Sequence, residues 1–244
     1  MRHFFLVLIL ATLTAPIAIA ADSATLQQSA TAAYLRADGI ALQSLATDVQ
    51  AWRTTGDRDE RYTAAYVAFR QTQLAAVAED KQRLRTSGEQ CVAASAAAIQ
   101  TDERYAEAHA LQAACYGYLA TLGGFGAISS GRKSGKAMDV ALALAPRNPR
   151  VILIDALGLA FRPRFVGGDK TKAYQRCREA ASVFDASRAT VATPDWGAPE
   201  SWYWVGRGAE NAGDATAARQ AYERALALAN DFAAARRRLA TLTH

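Results

Sequence analysis

The chain has 244 residues, of which 51% are apolar, and its 28 basic and 23 acidic side chains give a formal net charge of +5. That length suits one domain or a small array, and that apolar fraction can bury a core. Alanine dominates, only 6 residues are proline and β-branched runs are rare, so helix is favoured throughout, and the mild basic excess argues for neither nucleic acid nor membrane.

Residues 1–21 read as a secretory signal peptide. Arg2 and His3 make a basic start, Phe4 to Leu13 is an apolar run, and Ala18-Ile19-Ala20 is a small-x-small cleavage site. The run is too short for a comfortable membrane span, and no cysteine stands near the cleavage site to carry a lipid. Export to a bacterial periplasm, or secretion, is expected.

Apolar residues recur at helical spacing from Ser23 to Trp52, with Gly39 either splitting or weakening the segment. Thr54-Thr55-Gly56-Asp57 is a stop-and-cap signal. A second long helix is expected over Asp59 to Leu84, so residues 22–86 would form an antiparallel N-terminal helical hairpin that caps the rest. Ser87-Gly88-Glu89-Gln90 fits a capping box and would open a small-sided helix as residues 87–244 begin. After the helix Tyr105 to Leu122 comes Gly123 to Gly135, expected as a flexible connection. Helix resumes near Lys133 and runs to Pro146. Asn148 and Pro149 suit a cap and a first turn and open a helix that ends before Pro163. The insertion RPRFVGGD precedes a helix from Lys170 to Phe184. A loop over Asp185 to Ala198, with Pro194-Asp195-Trp196-Gly197 as its turn signal, leads to the last helices.

The three cysteines are Cys91, Cys115 and Cys177. Their spacing matches no zinc pattern. In an oxidising compartment Cys91 and Cys115, on neighbouring helices, are the pair that could bridge; the alternative is three small buried apolar side chains.

Pro199 to Phe232 resembles a tetratricopeptide repeat (TPR), whose period is about 34 residues. Trp202, Val205, Gly206 and Ala209 stand in the first helix, Gly213-Asp214 in the turn, and Ala218, Tyr222 and Ala225 in the second helix. Asn230 replaces the closing proline, and Ala209 stands where the family has tyrosine. Less complete copies run back through Lys170 to Phe184, Ser134 to Pro146 and Gln90 to Gln100. The resemblance covers about residues 88–242 and implies an all-α fold, an α-α superhelix (a TPR-like helical solenoid) with a divergent N-terminal helical hairpin. In this family the first helix of each unit lines a concave groove that takes peptides or partner proteins. The matching positions are His109 and Tyr116, with Ala106 and Ala113; then Arg150, with Leu153 and Leu157; then Tyr203, Arg207 and Asn211, with Glu200. Aromatic rings beside Arg and Asn would suit an extended peptide or a carboxylate; alternatively these are ordinary solvated helix positions.

Catalytic and metal motifs are missing from the sequence. After cleavage only His109 and His244 remain, there is no HExxH, and nothing resembles a nucleophile elbow. GAISSGRK fails as a phosphate loop because Arg132 and Lys133 replace the required Lys and Ser/Thr. No metal, no cofactor and no enzymatic activity are expected. From Arg132 to Arg178 eleven basic residues face only Asp139, Asp155 and Asp169. If they converge they make an anion-attracting face; otherwise they are a dispersed soluble surface. The function expected is an exported, non-enzymatic scaffold or adaptor that binds a partner protein or peptide in the concave groove. The alternative is a periplasmic small-ligand-binding accessory protein of an envelope transport system, with loops Gly123 to Gly135 and Arg162 to Asp169 closing over an anionic ligand. Nucleic acid is not an expected partner.

Overall fold

Aspartate and asparagine side chains set where most of the helices begin. The computed structural model describes residues 22–187 and 196–242; the expected signal peptide, most of the loop after residue 187 and His244 lie outside them. Asp22 accepts the Thr25 N–H at 2.7 Å and opens α1 (Ser23–Leu35). Asp38 accepts the Ala41 N–H at 2.9 Å and opens α2 (Gly39–Asp48), so the helix does split at Gly39, through Ala37 at φ 59°. The short α3 (Trp52–Thr55) precedes Asp57, whose capping box with Glu60 starts α4 (Arg58–Val77). There follow α5 (Lys81–Thr101), α6 (Ala106–Ala120), α7 (Phe125–Leu144), α8 (Pro149–Phe161), α9 (Lys170–Ser187), α10 (Ala198–Asn211), α11 (Ala215–Leu228) and α12 (Ala233–Thr241). Asn148 and Pro149 start α8 as their chemistry requires. Among the described residues there is no strand, and no helix is long and apolar enough to cross a membrane.

Two local expectations are overturned. Ser87 opens no helix: α5 runs unbroken from Lys81, capped by Asp80, because the chain has already turned at Glu79 with φ 56°. The Ser87 hydroxyl instead donates to the Arg83 carbonyl at 2.7 Å. The boundary placed between residues 86 and 87 therefore falls inside a helix. Nor is Gly123 to Gly135 a loop. Gly123 and Gly124, at φ 75° and 72°, complete the turn alone, and α7 starts at Phe125. Its helical bonds and the buried Ala137, Met138 and Ala141 outweigh the ~1 kcal/mol that each later glycine costs a helix.

The helices stack as antiparallel pairs: α1 with α2, α4 with α5, α6 with α7, α8 with α9 and α10 with α11, closed by α12. Thus α4 and α5 are partners, and the expected hairpin of residues 23–52 with 59–84 is replaced by two successive pairs. The first helices of the pairs run parallel. Thr31 meets Tyr66 at 2.7 Å and Gln27 meets Thr63 at 2.8 Å, tying α1 to α4. Tyr62 donates to Glu107 at 3.0 Å, and Glu107 accepts from Arg150 at 3.0 Å, carrying the alignment through α6 to α8. Small residues set the spacing: a Cβ at Gly206 would lie 2.5 Å from the Tyr222 ring, and one at Gly88 would lie 3.0 Å from Leu119. Trp202, Gly206 and Tyr222 are framework, as the repeat pattern requires.

One continuous core runs from α1 to α8 and includes Trp196. Ala106 and Ala113, expected to face outward, are buried in it. Smaller clusters hold the C-terminal pairs, and one of them joins the two ends of the chain: Leu35 of α1 packs with Ala225, Phe232 and Ala235, beside an Arg36–Asp231 ion pair at 3.4 Å. Cys91 and Cys115 are bonded, fixing α5 to α6, and Cys177 is free and buried, its thiol pushed up to about 12 by that burial. The bridge closes a loop with a sequence separation of 24 residues. Its loss is expected to cost roughly 3 kcal/mol on the chain-entropy account. Urea unfolding should show dithiothreitol lowering the wild-type midpoint and leaving a Cys91→Ser/Cys115→Ser variant, already at the lower value, unchanged.

Candidate functional site

Arg70 is the residue around which the concave side is built. It lies on the inner face of α4 and is only 1% exposed. A guanidinium out of water needs its N–H groups satisfied. Nε donates to the Tyr66 hydroxyl at 2.7 Å, Nη1 donates to Gln73 Oε1 at 2.8 Å, and Nη2 donates to Glu200 Oε1. The rings of Tyr34, Tyr66 and Trp196 face the cation, with centroids 4.2, 4.8 and 5.4 Å from Cζ. The second Glu200 oxygen accepts the Gly197 N–H at 2.9 Å and so caps α10. Gly197 is required at that turn: its φ is 104°, and a Cβ would lie 2.7 Å from Phe184. Through these contacts α1, α4 and the start of α10 share one polar knot.

Burial pushes the neighbouring phenols up. The Tyr66 hydroxyl rises to about 12, desolvation outweighing the Arg70 charge that pulls it down, and Tyr34 rises further for the same reason. Burial alone would depress Arg70, but Tyr66, Glu200 and Tyr34 outweigh it and hold the guanidinium charged.

Above this floor the inner faces of α4, α8 and α10 leave a narrow cleft with a cavity volume of only about 10 Å³. Leu153, Ile154 and Leu157 of α8 form one wall, Trp196 and Trp204 another, and Tyr34, Phe69 and Gln73 the third. Phe161, one turn beyond Leu157, is 64% exposed and stands edge-on to the Trp204 ring at 5.3 Å. Through Trp204, which lines the cleft, it forms an aromatic lip beside the mouth. Arg207 lies 5.9 Å from the Trp204 ring and donates to the Tyr203 hydroxyl at 3.2 Å.

The sequence-predicted residues distribute unevenly about this cleft. Arg150 is beneath it, stacked 5.3 Å from Trp196 and ion-paired with Glu107. Arg207 is beside the lip, paired with Glu210 at 3.4 Å. The Tyr203 ring packs among Trp204, Tyr222 and Phe232. Asn211 is exposed at the end of α10. His109 contacts the Glu103 carbonyl at 3.0 Å, and Tyr116 lies under Lys133 at 5.5 Å, on the α7 side of α6. The structure thus brings Arg150, Tyr203 and Arg207 to the cleft tryptophans and leaves His109, Tyr116 and Asn211 apart from them. The basic stretch does not converge on the cleft: Arg150 and Arg176 are in ion pairs, while Arg164, Lys170 and Lys172 lie at or near the α8–α9 turn. Among the described residues no group of His, Cys, Asp and Glu could hold a metal ion.

Sequence reading missed Tyr34, Arg70, Trp196, Trp204 and Phe161 as site residues. A signal was present for some of them. Glu200 and Trp204 stand four apart on one face of α10, with Trp196 four residues earlier in the preceding turn, and Arg70 interrupts the buried stripe of Tyr62, Tyr66 and Phe69, where a lone charge demands a partner.

The chain matches no family model and no curated protein. It is similar in structure to the HusA haemophore from Porphyromonas gingivalis, with a TM-score of 0.64 and 19% identity over 80% of this chain and 96% of that one. It is also similar to TTC0263, a thermophilic TPR protein of Thermus thermophilus, with a TM-score of 0.60 and 15% identity over 89% and 98% of the two chains. At these identities the likeness shows the fold: an all-α, TPR-like helical solenoid.

Two outcomes follow from the knot. Arg70→Ala leaves the Glu200 carboxylate buried without its cation and should cost about 3–5 kcal/mol in urea unfolding. Tyr66 stays protonated in the fold up to about 12, whereas its unfolded value is 10.0. A raised folded value means that stability is full below the unfolded value and is lost as the pH rises through the folded one. Unfolding free energy should therefore fall as the pH climbs from about 10 towards 12, and Tyr66→Phe should remove its own share of a fall to which the other buried phenols also contribute.

Proposed function

We propose that this chain is an exported, non-enzymatic binding protein whose site is the aromatic cleft, and that the occupant is a short apolar or aromatic segment of a partner protein. The exposed Phe161 standing on Trp204 at the cleft mouth carries this reading. Large rings at the rim of a desolvated recess are the usual anchors of protein recognition. The floor supports a binding role rather than acid–base chemistry, since the Arg70 and Glu200 groups are committed to hydrogen bonds that hold helices together. With α1 packed against the α11–α12 turn and the interior of the cleft filled, the occupant rests on the Phe161–Trp204 mouth rather than along the concave side.

A second reading, a small-ligand carrier, is favoured by the likeness to a haemophore. Trp204 and Phe161 offer aromatic faces, and Arg207 offers a cation at the lip. Haemin is therefore the small ligand to try first.

Peptides selected from a display library against the wild type should carry an apolar or aromatic anchor. Phe161→Ser, at an exposed position, should weaken them about thirtyfold, the ~2 kcal/mol of a lost aromatic anchor, with the unfolding midpoint unchanged. Equal binding by Phe161→Ser and Trp204→Ala would remove the cleft as the site. Haemin bound with an absorbance change that both substitutions abolish would select the second reading.

A further inference from the structure

The large apolar side chains that stand exposed among the described residues are Ile40, Val77, Phe125, Ile128, Phe161, Phe165 and Val166. Every one of them lies at a turn from the first to the second helix of a pair. Ile40 begins α2, Val77 ends α4, Phe125 and Ile128 are in the first turn of α7, Phe161 ends α8, and Phe165 and Val166 are in the short helical turn that follows. Because the first helices run parallel, these turns share one edge of the solenoid. Single exposed apolar residues are ordinary on any protein surface, and scatter would place them at both edges. Confinement to one edge, across four consecutive pairs, is a surface feature of another kind. Phe125 and Phe165 are 104% and 89% exposed, so they project as tips and line no recess.

Charge at this edge is uneven. Arg164 sits beside Phe165, Lys170 and Lys172 open α9, and Arg132 lies one turn beyond Ile128; all four are exposed. The aspartates that start helices at these turns, Asp38, Asp80, Asp169 and Asp214, and the exposed Glu79 oppose them, so the basic excess centres on the α6–α7 and α8–α9 turns. Exposed apolar side chains along a span of roughly 30 Å at ~10 Å per helix layer, with the projecting rings and the cations concentrated at the α6–α7 and α8–α9 turns, complement a flat, negatively charged surface. That is the chemistry of an interfacial membrane contact, in which apolar tips enter the headgroup boundary and cations meet anionic lipid.

We propose that this edge docks the protein on anionic lipid bilayers. The edge adjoins the cleft at Phe161, but the lipid assignment rests on Phe125, Phe165 and the basic side chains, none of which lines the cleft.

Vesicle flotation of the full chain tests it, with phosphatidylcholine mixed with phosphatidylglycerol set against phosphatidylcholine alone. The wild type should float with the mixed vesicles, stay down with phosphatidylcholine, and be released by salt. Phe125→Ser/Phe165→Ser should weaken binding about tenfold. Arg164→Glu/Lys170→Glu/Lys172→Glu should weaken it more than a hundredfold, at about fivefold or more per charge. Circular dichroism should be unchanged, since all five side chains are exposed. The residues before Asp22 are common to every variant, so differences between variants report the edge. Trp204→Ala should float like the wild type. A wild type that ignores mixed vesicles, or edge variants that float equally well, would overturn the proposal. So would edge variants that lose only a defined protein partner.

Discussion

A guanidinium sealed from water cannot be left half-satisfied, and the architecture is arranged around that constraint. Arg70 finds its partners on its own helix and on two others distant in sequence: Tyr66 and Gln73 on α4, the Tyr34 ring from α1, and the carboxylate of Glu200 from α10. Glu200 in turn caps the helix that carries it. Removing either charge leaves the other buried and uncompensated, which is the costly way to break such a pair. The last complete pair of the solenoid is thereby referenced to the second pair, and the apolar contact of Leu35 with Phe232 completes the closure.

Closure changes what the concave side can do. An open stack of helix pairs offers a long groove whose residues are displayed repeat by repeat. Here the inner faces of α4, α8 and α10 converge, aromatic rings fill the interior, and what remains is a short cleft with a fixed floor and an exposed Phe161 lip. Rigid polar groups below and adaptable rings above divide the work: the knot holds geometry and the lip meets the occupant. The turn edge, with its projecting Phe125 and Phe165, adjoins that mouth at Phe161.

Much of the fold was legible locally. Caps at Asp57 and Asn148 and the close approach at Gly206 are short-range chemistry that the sequence states directly, while at Gly39 it left open whether the helix breaks or only weakens. Misjudgements arose where tertiary contact overrode local signals. Ser87 carries the chemistry of a cap, but Glu79 and Asp80 had already turned the chain. Gly126, Gly131 and Gly135 look like a loop, yet the helix they weaken is anchored by Met138 and Ala141 farther along. The cleft was legible only in part. Repeat register placed Arg150, Leu153 and Leu157 on the inner side, and the structure keeps Leu153 and Leu157 in the wall. Register could not place Tyr34 or Arg70, because they meet Glu200 only when the ends of the array come together, and no periodicity encodes that meeting.

Hydrogen exchange on an Arg70→Met variant, compared with the wild type, tests the closure most directly. If Arg70 ties the ends of the solenoid to one another, α1 and the first turn of α10 should lose protection together, while α6 and α7, held by the Cys91–Cys115 bridge and their own packing, keep theirs. Loss confined to α4, or spread evenly along the chain, would contradict it.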